Sequence, residues 1–230
     1  MTLLVAINYG NFALIAADKK MVEYADGKIV YSNEEALKIV HTKIGFITGQ
    51  GSVELLDLVK NRIARSEVVS TDQIVDVIVS ERSSLQVNKM DDDSINHWLR
   101  CTGWILSYCT VDDLDKPIVR IAQYHPSLHE SALAVVDKIR IGFPIGVTLE
   151  DSRKWMSEFE GRIGAINKDL SFEAVLGSSI FHISWLMDEL SKMTDSVSSC
   201  FDIGVLFDNH ESYMAENISR ASSEFELIKV

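Results

Sequence analysis

The chain begins with the segment MTLLVAINYGNFALIAAD, residues 1–18, which decides how the rest of the sequence is interpreted. Two runs of apolar, β-favouring residues, 3–7 and 12–17, flank the cluster Asn8-Tyr9-Gly10-Asn11, which is rich in turn-forming residues. This pattern predicts a β-hairpin. The hairpin would return the chain so that Asp18 lies near Thr2.

Thr2 is the first residue that suggests chemistry. A small residue after the initiator favours removal of Met1, and the first strand begins at the second residue, so we expect no leader peptide. Removal of Met1 would leave Thr2 with a free α-amine beside its own hydroxyl. Such an amine has an ordinary pKa of about 7.7–8.0 and can accept the hydroxyl proton near neutral pH. The alternative is that Thr2 is only the start of a strand.

Composition predicts one globular domain spanning residues 1–230. Hydrophobic residues make up 47% of the chain and charged residues 24%, which is ordinary for a protein with a buried core. No apolar run reaches the roughly 18 residues of a membrane span, and no signal peptide is recognisable, so we expect a cytoplasmic protein without a membrane partner. A net charge of −12 argues against nucleic acid as a partner.

No cofactor or metal is expected. The cysteines have no metal-type spacing and are predicted to be buried reduced thiols: Cys101, Cys109 and Cys200. The run Asp91-Asp92-Asp93 lacks the spacing of a calcium loop and is interpreted as a solvated connection. His125 and His129 are separated by Pro126, which disfavours the helical geometry that would direct both rings at one zinc ion.

The remaining sequence alternates strand-like and helix-like segments. We predict a second hairpin (36–40 and 44–48), two helices (53–63 and 71–85), strands (98–109, 118–124 and 132–141), two more helices (148–166 and 171–193) and final strands (201–207 and 225–230). This order predicts an α+β fold in which two stacked, mainly antiparallel sheets carry a helix pair on each outer face, a four-layer αββα sandwich.

From Thr2 to about Phe207 the chain resembles the β-type subunits of the proteasome family, bacterial type, which are N-terminal-threonine hydrolases. Residues of the types this family uses occur in the family's order: Thr2, Asp18, Lys38, Gly49, Asp195 and Ser198. The resemblance also implies the family's fold, the N-terminal-nucleophile (Ntn) hydrolase fold.

The resemblance assigns a role to each residue. Thr2 would be the nucleophile, Lys38 a nearby cation and Asp18 the partner that holds Lys38. The Gly49 N–H would face the oxyanion.

Four further residues complete the implied site. Asp195 and Ser198 would orient the Thr2 amine, and Lys20 and Ile47 would line the substrate pocket. Two departures from the family pattern bear on the level of activity. The segment 141–146 lacks the family's serine, and Ser199-Cys200 replaces the usual glycine pair.

The resemblance implies a threonine endopeptidase that acts on peptides or unfolded proteins in a homo-oligomeric ring, with an ATP-dependent unfoldase as a candidate partner. Two alternatives remain open. One is an amidase or acyl-transfer enzyme that uses the same Thr2 on another amide substrate. The other is a non-catalytic, proteasome-like scaffold subunit, which the missing serine near Gly142 favours.

Overall fold

The computed structural model describes residues 2–25, 28–35, 37–89, 93–128, 132–144, 146–167, 169–221 and 225–230. The strands in chain order are β1 Leu4–Asn8, β2 Phe12–Asp18, β3 Lys20–Ala25, β4 Lys28–Glu35, β5 Val40–Thr42, β6 Gly45–Gln50, β7 Gly103–Val111, β8 Pro117–Tyr124, β9 Ala134–Val136, β10 Ile139–Gly142, β11 Phe201–Phe207, β12 Ser212–Ile218 and β13 Ile228–Lys229. The helices are α1 Val53–Arg65, α2 Thr71–Asn88, α3 Asp93–Cys101, α4 Leu149–Gly164 and α5 Phe172–Met193.

Two antiparallel sheets form the body of the described protein. The larger sheet has six strands in the order β10-β1-β2-β11-β12-β13, and the second has five in the order β5-β6-β7-β8-β9. The predicted first hairpin is confirmed, because β1 pairs with β2 in a register that runs from Leu4 opposite Ala17 to Asn8 opposite Ala13.

The strands of the first hairpin are buried on both faces. Alternate residues of a strand point to opposite sides of a sheet. On β1, Val5 and Ile7 join the cluster that contains the buried faces of α4 and α5, whereas Leu4 and Ala6 join a cluster shared with Phe46 of β6 and other residues of the five-stranded sheet. A third cluster packs the five-stranded sheet against α1, α2 and α3.

The predicted four-layer αββα sandwich of the Ntn-hydrolase fold, with a helix pair on each outer face, is wrong. Three helices, α1 to α3, separate β6 from β7, and β3 and β4 form a two-stranded sheet of their own. The segment 98–101, predicted as the start of a strand, is the end of α3. Ile95 and Leu99 lie one helical turn apart, and Asp93 and Arg100 place favourable charges at the two helix ends.

Two other segments also differ from the prediction. The stretch 132–141 is not one strand, since β9 pairs with β8 in one sheet while β10 pairs with β1 in the other. Strand β12, which follows the turn after β11, was not predicted from the sequence. Within the described residues, no helix is both long and apolar enough to cross a bilayer.

Candidate active site

The Asp18 carboxylate is the centre of a buried polar cluster at the end of β2. Its side chain has no exposed surface. Oδ1 accepts a hydrogen bond from the Leu3 backbone N–H at 2.9 Å, and Oδ2 accepts from the backbone N–H groups of Lys20 at 3.0 Å and Ser198 at 3.1 Å. The hairpin brings Leu3 and Asp18 together, and the pairing of β11 with β2 brings the segment around Ser198 alongside.

Lys38 supplies the positive charge of this cluster. Its Nζ lies 3.0 Å from Asp18 Oδ1 and also donates to the Lys20 carbonyl oxygen at 2.5 Å. Burial lowers the pKa of Lys38 below its ordinary value, while the charge and hydrogen bond of Asp18 oppose that shift. The Lys38 ammonium is therefore held at a fixed position by two acceptors.

Thr2 and Lys38 line the same small cavity. The cavity has a volume of about 60 Å³ and lies between the start of β1, the start of β3, the end of β6 and helix α1. Its lining consists of Thr2, Lys20, Met21, Leu37, Lys38, Gly49, Gly51, Val53, Leu56, Asp57 and Lys60. Thr2 is buried. Met1 lies outside the described residues, so its removal stays a prediction.

Gly49 lies where a strand, a helix and an indole ring meet closely. A Cβ at this position would lie 2.6 Å from Leu56 Cδ2, 2.8 Å from Trp104 Cε3 and 3.0 Å from the Gly103 carbonyl oxygen. Only a residue without a side chain fits this backbone position. Gly49 lines the Thr2 cavity, and its oxyanion role stays a prediction.

The structure does not bring every predicted site residue to the cavity. Asp195 is exposed and is not part of the cavity lining. The Ser198 backbone N–H contacts Asp18, but the Ser198 hydroxyl accepts a hydrogen bond from the Cys200 N–H at 3.0 Å. Ile47, predicted to line the substrate pocket, is fully buried in the core beneath α1 and does not line the cavity, whereas Lys20 does.

Sequence reasoning missed two charged residues of the cavity, Asp57 and Lys60 of α1. Burial lowers the pKa of Lys60 to about 8, and the charge of Lys38 acts in the same direction while Asp57 opposes it. Val53, Leu56, Asp57 and Lys60 are spaced 3, 4 and 7 residues apart and so share one face of α1. That spacing is the signal available in the sequence, because it places Asp57 and Lys60 on the face of the predicted helix that carries Val53 and Leu56.

A second Lys–Asp pair lies beside the first. Lys19 Nζ is 3.3 Å from Asp202 Oδ1 and donates to Asn217 Oδ1 at 2.8 Å. Burial raises the pKa of Asp202, and the charge of Asp202 helps to keep Lys38 protonated. Among the described residues, no group of three or more His, Cys, Asp or Glu side chains could hold a metal ion. Asp91, Asp92 and His129 lie outside the described residues.

Comparison with solved structures identifies a shared fold with Anbu proteins. Anbu from Pseudomonas aeruginosa, solved as a helical assembly, superimposes with a TM-score of 0.60 at 11% identity, covering 99% of this chain and 86% of that one. A mutant of Anbu from Hyphomicrobium sp. strain MC1 gives 0.59 at 12% identity, covering 100% and 88%. Anbu from Yersinia bercovieri, described as an ancestral beta-subunit, gives 0.57 at 11% identity, covering 99% and 87%.

No protein-family model and no curated protein sequence matches the chain. The predicted assignment to the β-type subunits of the proteasome family is wrong, because the structural neighbours are Anbu proteins, a distinct family. At 11–12% identity, the likeness to Anbu establishes the fold and nothing finer.

Proposed function

We propose that this protein hydrolyses amide bonds with Thr2 as the nucleophile once Met1 has been removed. The observation that carries the proposal is the buried ion pair between Asp18 and Lys38, in which Lys38 Nζ lies 3.0 Å from Asp18 Oδ1. Lys38 and Thr2 line the same cavity. Burying an ion pair costs several kcal/mol per ion in desolvation, so its presence beside a candidate nucleophile favours a chemical role.

The proposed reaction has two steps, formation and hydrolysis of an ester. The Thr2 hydroxyl oxygen attacks the substrate carbonyl carbon while the free α-amine takes the hydroxyl proton. The C–N bond then breaks, the proton passes to the leaving amine, and an ester to Thr2 remains. Water then attacks the ester carbonyl carbon and gives a proton to the same amine. The C–O bond to Thr2 breaks, the amine returns the proton to the Thr2 oxygen, and the acid is released. Lys38 favours the neutral amine and stabilises negative charge that develops on the Thr2 oxygen.

We propose a peptide as the substrate and self-association into a homo-oligomer as the working state. Support for self-association comes from the Anbu neighbour that is solved as a helical assembly. A small acyl amide is the competing substrate class, because the cavity beside Thr2 measures only about 60 Å³. Screening both substrate classes in parallel separates these two forms of the proposal.

A non-catalytic scaffold subunit is the second candidate function. It is favoured by the exposed position of Asp195 and by the Ser198 hydroxyl, which is engaged with Cys200. In a scaffold, the Asp18–Lys38 pair would only hold the hairpin and the segment around Ser198 together.

The discriminating experiment compares wild type, Thr2→Ala and Thr2→Ser in cleavage of unfolded protein and of peptide and acyl amides. Thr2→Ala is expected to lower kcat by about a thousandfold or more, since no other group supplies the nucleophile. Thr2→Ser, which keeps a hydroxyl and an amine, is expected to retain measurable activity. Equal activity in wild type and Thr2→Ala would exclude the proposed mechanism, and inactivity of processed wild type on every substrate would favour the scaffold.

A further inference from the structure

A second cavity opens at the edge of the gap between the two sheets. It has a volume of about 40 Å³ and is lined by Leu4, Gln50, Gly103, Trp104, Ile105, Gln123, Tyr124, His125, Arg140 and Gly142. Gln50 lies between Gly49 and Gly51, both of which line the Thr2 cavity, so the end of β6 separates the two cavities.

Strand register places polar side chains from both sheets in this gap. Arg140 of β10 lies opposite Ala6, and Gln123 of β8 lies opposite Ile105. Paired residues point to the same face of a sheet, and both Ala6 and Ile105 belong to the cluster between the sheets. Arg140 therefore points toward the five-stranded sheet, and Gln123 points toward the six-stranded sheet. Their neighbours on these two faces, Ala6 and Ile105, are apolar.

The Arg140 guanidinium is a half-buried cation that has no counter-ion among the residues that the structure describes. It has no hydrogen-bond or ion-pair partner among the described residues, and no acidic side chain is among the lining residues. Burial lowers the pKa of Arg140. The chain carries 34 acidic residues, but none of them is in the described lining of this cavity. The Arg140 charge is therefore not balanced by the lining.

Two further groups in the cavity have unused hydrogen-bonding capacity. Gln50 Oε1 is buried and has no hydrogen-bond partner in the described part of the chain, and it lies so close to Gly142 that a Cβ there would be 2.2 Å away. His125 Nδ1 accepts from the Ser127 backbone N–H at 3.3 Å and lies 2.8 Å from Ser127 Oγ, which favours the tautomer with the proton on Nε2. In that tautomer a residue of the cavity lining carries an Nε2–H donor. Buried polar groups are rarely left unpaired. Gln50 Oε1 is an acceptor and needs a donor, whereas the Arg140 guanidinium and the His125 Nε2–H are donors that an acceptor such as a carboxylate can satisfy.

We propose that this cavity binds a carboxylate. The Arg140 guanidinium donates two parallel hydrogen bonds to the carboxylate, and the His125 Nε2–H donates a third. A guanidinium and a carboxylate match in shape and charge. The volume of about 40 Å³ has room for about three water-sized atoms, which fits a carboxylate group but not a ring. The carboxylate belongs either to a small free acid or to the C-terminus of a peptide. The proposal does not depend on catalysis by Thr2.

The test measures acetate binding by calorimetry and thermal unfolding at constant ionic strength, with acetamide as the uncharged probe. Wild type is expected to bind acetate and not acetamide. Arg140→Gln is expected to weaken acetate binding by about tenfold or more. Arg140→Lys is expected to weaken it less, because lysine keeps the positive charge and loses only the two parallel hydrogen bonds of the guanidinium. The matched control is Arg120→Gln, which removes the same charge from β8 outside the cavity and should bind acetate like wild type.

N-acetyl-glycyl-glycine and its C-terminal amide distinguish the sources of the carboxylate. Tighter binding of the peptide acid than of acetate, with no binding of the amide, identifies a peptide end. Binding of acetate alone identifies a small acid.

Circular dichroism checks that the Arg140 variants are folded. Gln123→Leu, which leaves the Arg140 charge in place, is a second variant of the cavity lining and is expected to weaken acetate binding. Equal acetate affinity of wild type and folded Arg140→Gln would overturn the proposal, as would failure of acetate to bind folded wild type.

Discussion

At the scale of single residues, the site depends on the Asp18 carboxylate, which accepts three backbone N–H groups and the Lys38 ammonium. Sequence reasoning could place Asp18 near Thr2, because a two-stranded hairpin fixes which of its residues are neighbours. The sequence could not place Ile47 or Asp195, because the type of a residue and its position in the chain do not show toward which side of a strand or loop its side chain points. Ile47 is in the core and Asp195 is exposed.

Replacing Asp18 by Asn is expected to lower the free energy of unfolding by about 3–5 kcal/mol. The amide leaves the buried Lys38 charge uncompensated and turns an N–H group toward backbone donors. Urea denaturation measures the change. Asp113→Asn, at an exposed turn, is the control and should lie within about 0.5 kcal/mol of wild type. The double variant Asp18→Asn/Lys38→Met should recover part of the loss, and additive losses would show that the two residues do not interact.

Lys60 gives a prediction of pH dependence. Its folded-state pKa is lowered to about 8 from an ordinary value of 10.5, so between these values the unfolded chain binds a proton that the folded chain does not. Raising the pH through this window therefore increases the free energy of unfolding, by at most about 3 kcal/mol from this residue. Lys60→Met should lack that increment. Parallel urea denaturation of both proteins at the two ends of the window tests this, and identical increments in both would contradict the assignment.

At the scale of elements, hydrophobic periodicity was sufficient where a segment had one strong pattern. The predicted helices 53–63, 148–166 and 171–193 correspond to α1, α4 and α5. It was insufficient at α3, a helix of 9 residues whose apolar content also suits a strand. Tertiary contacts decide such short segments, because few local hydrogen bonds favour either structure.

Strand β6 and helix α1 meet at Gly49, and this contact gives an element-scale prediction. Gly49→Ala is expected to lower the free energy of unfolding by about 1–3 kcal/mol, because the new methyl group overlaps Leu56 and Trp104. Gly177→Ala in α5 is the matched control. Nothing lies within 4 Å of the added Cβ there, so a stabilisation of up to about 1 kcal/mol from helix propensity is expected. Thermal and urea unfolding measure both. A Gly49→Ala protein as stable as wild type would mean that β6 and α1 are not in close contact.

At the scale of the whole molecule, an α+β protein with two sheets was predictable from the alternation of strand-like and helix-like segments. The allocation of strands to sheets was not. Strands β9 and β10 are separated by only two residues and belong to different sheets, which no local pattern reveals. The cavity containing Arg140 depends on that separation, because its lining comes from both sheets.

The central claim is that Thr2, freed by removal of Met1 and assisted by Lys38, is a nucleophile. Intact and tandem mass spectrometry of the purified protein, before and after treatment with a β-lactone electrophile, tests it most directly. The mature chain is expected to begin at Thr2, with one adduct located on Thr2 in wild type and no adduct there in Thr2→Ala or in folded Lys38→Met. Retained Met1, or a processed chain without an adduct on Thr2, would contradict it.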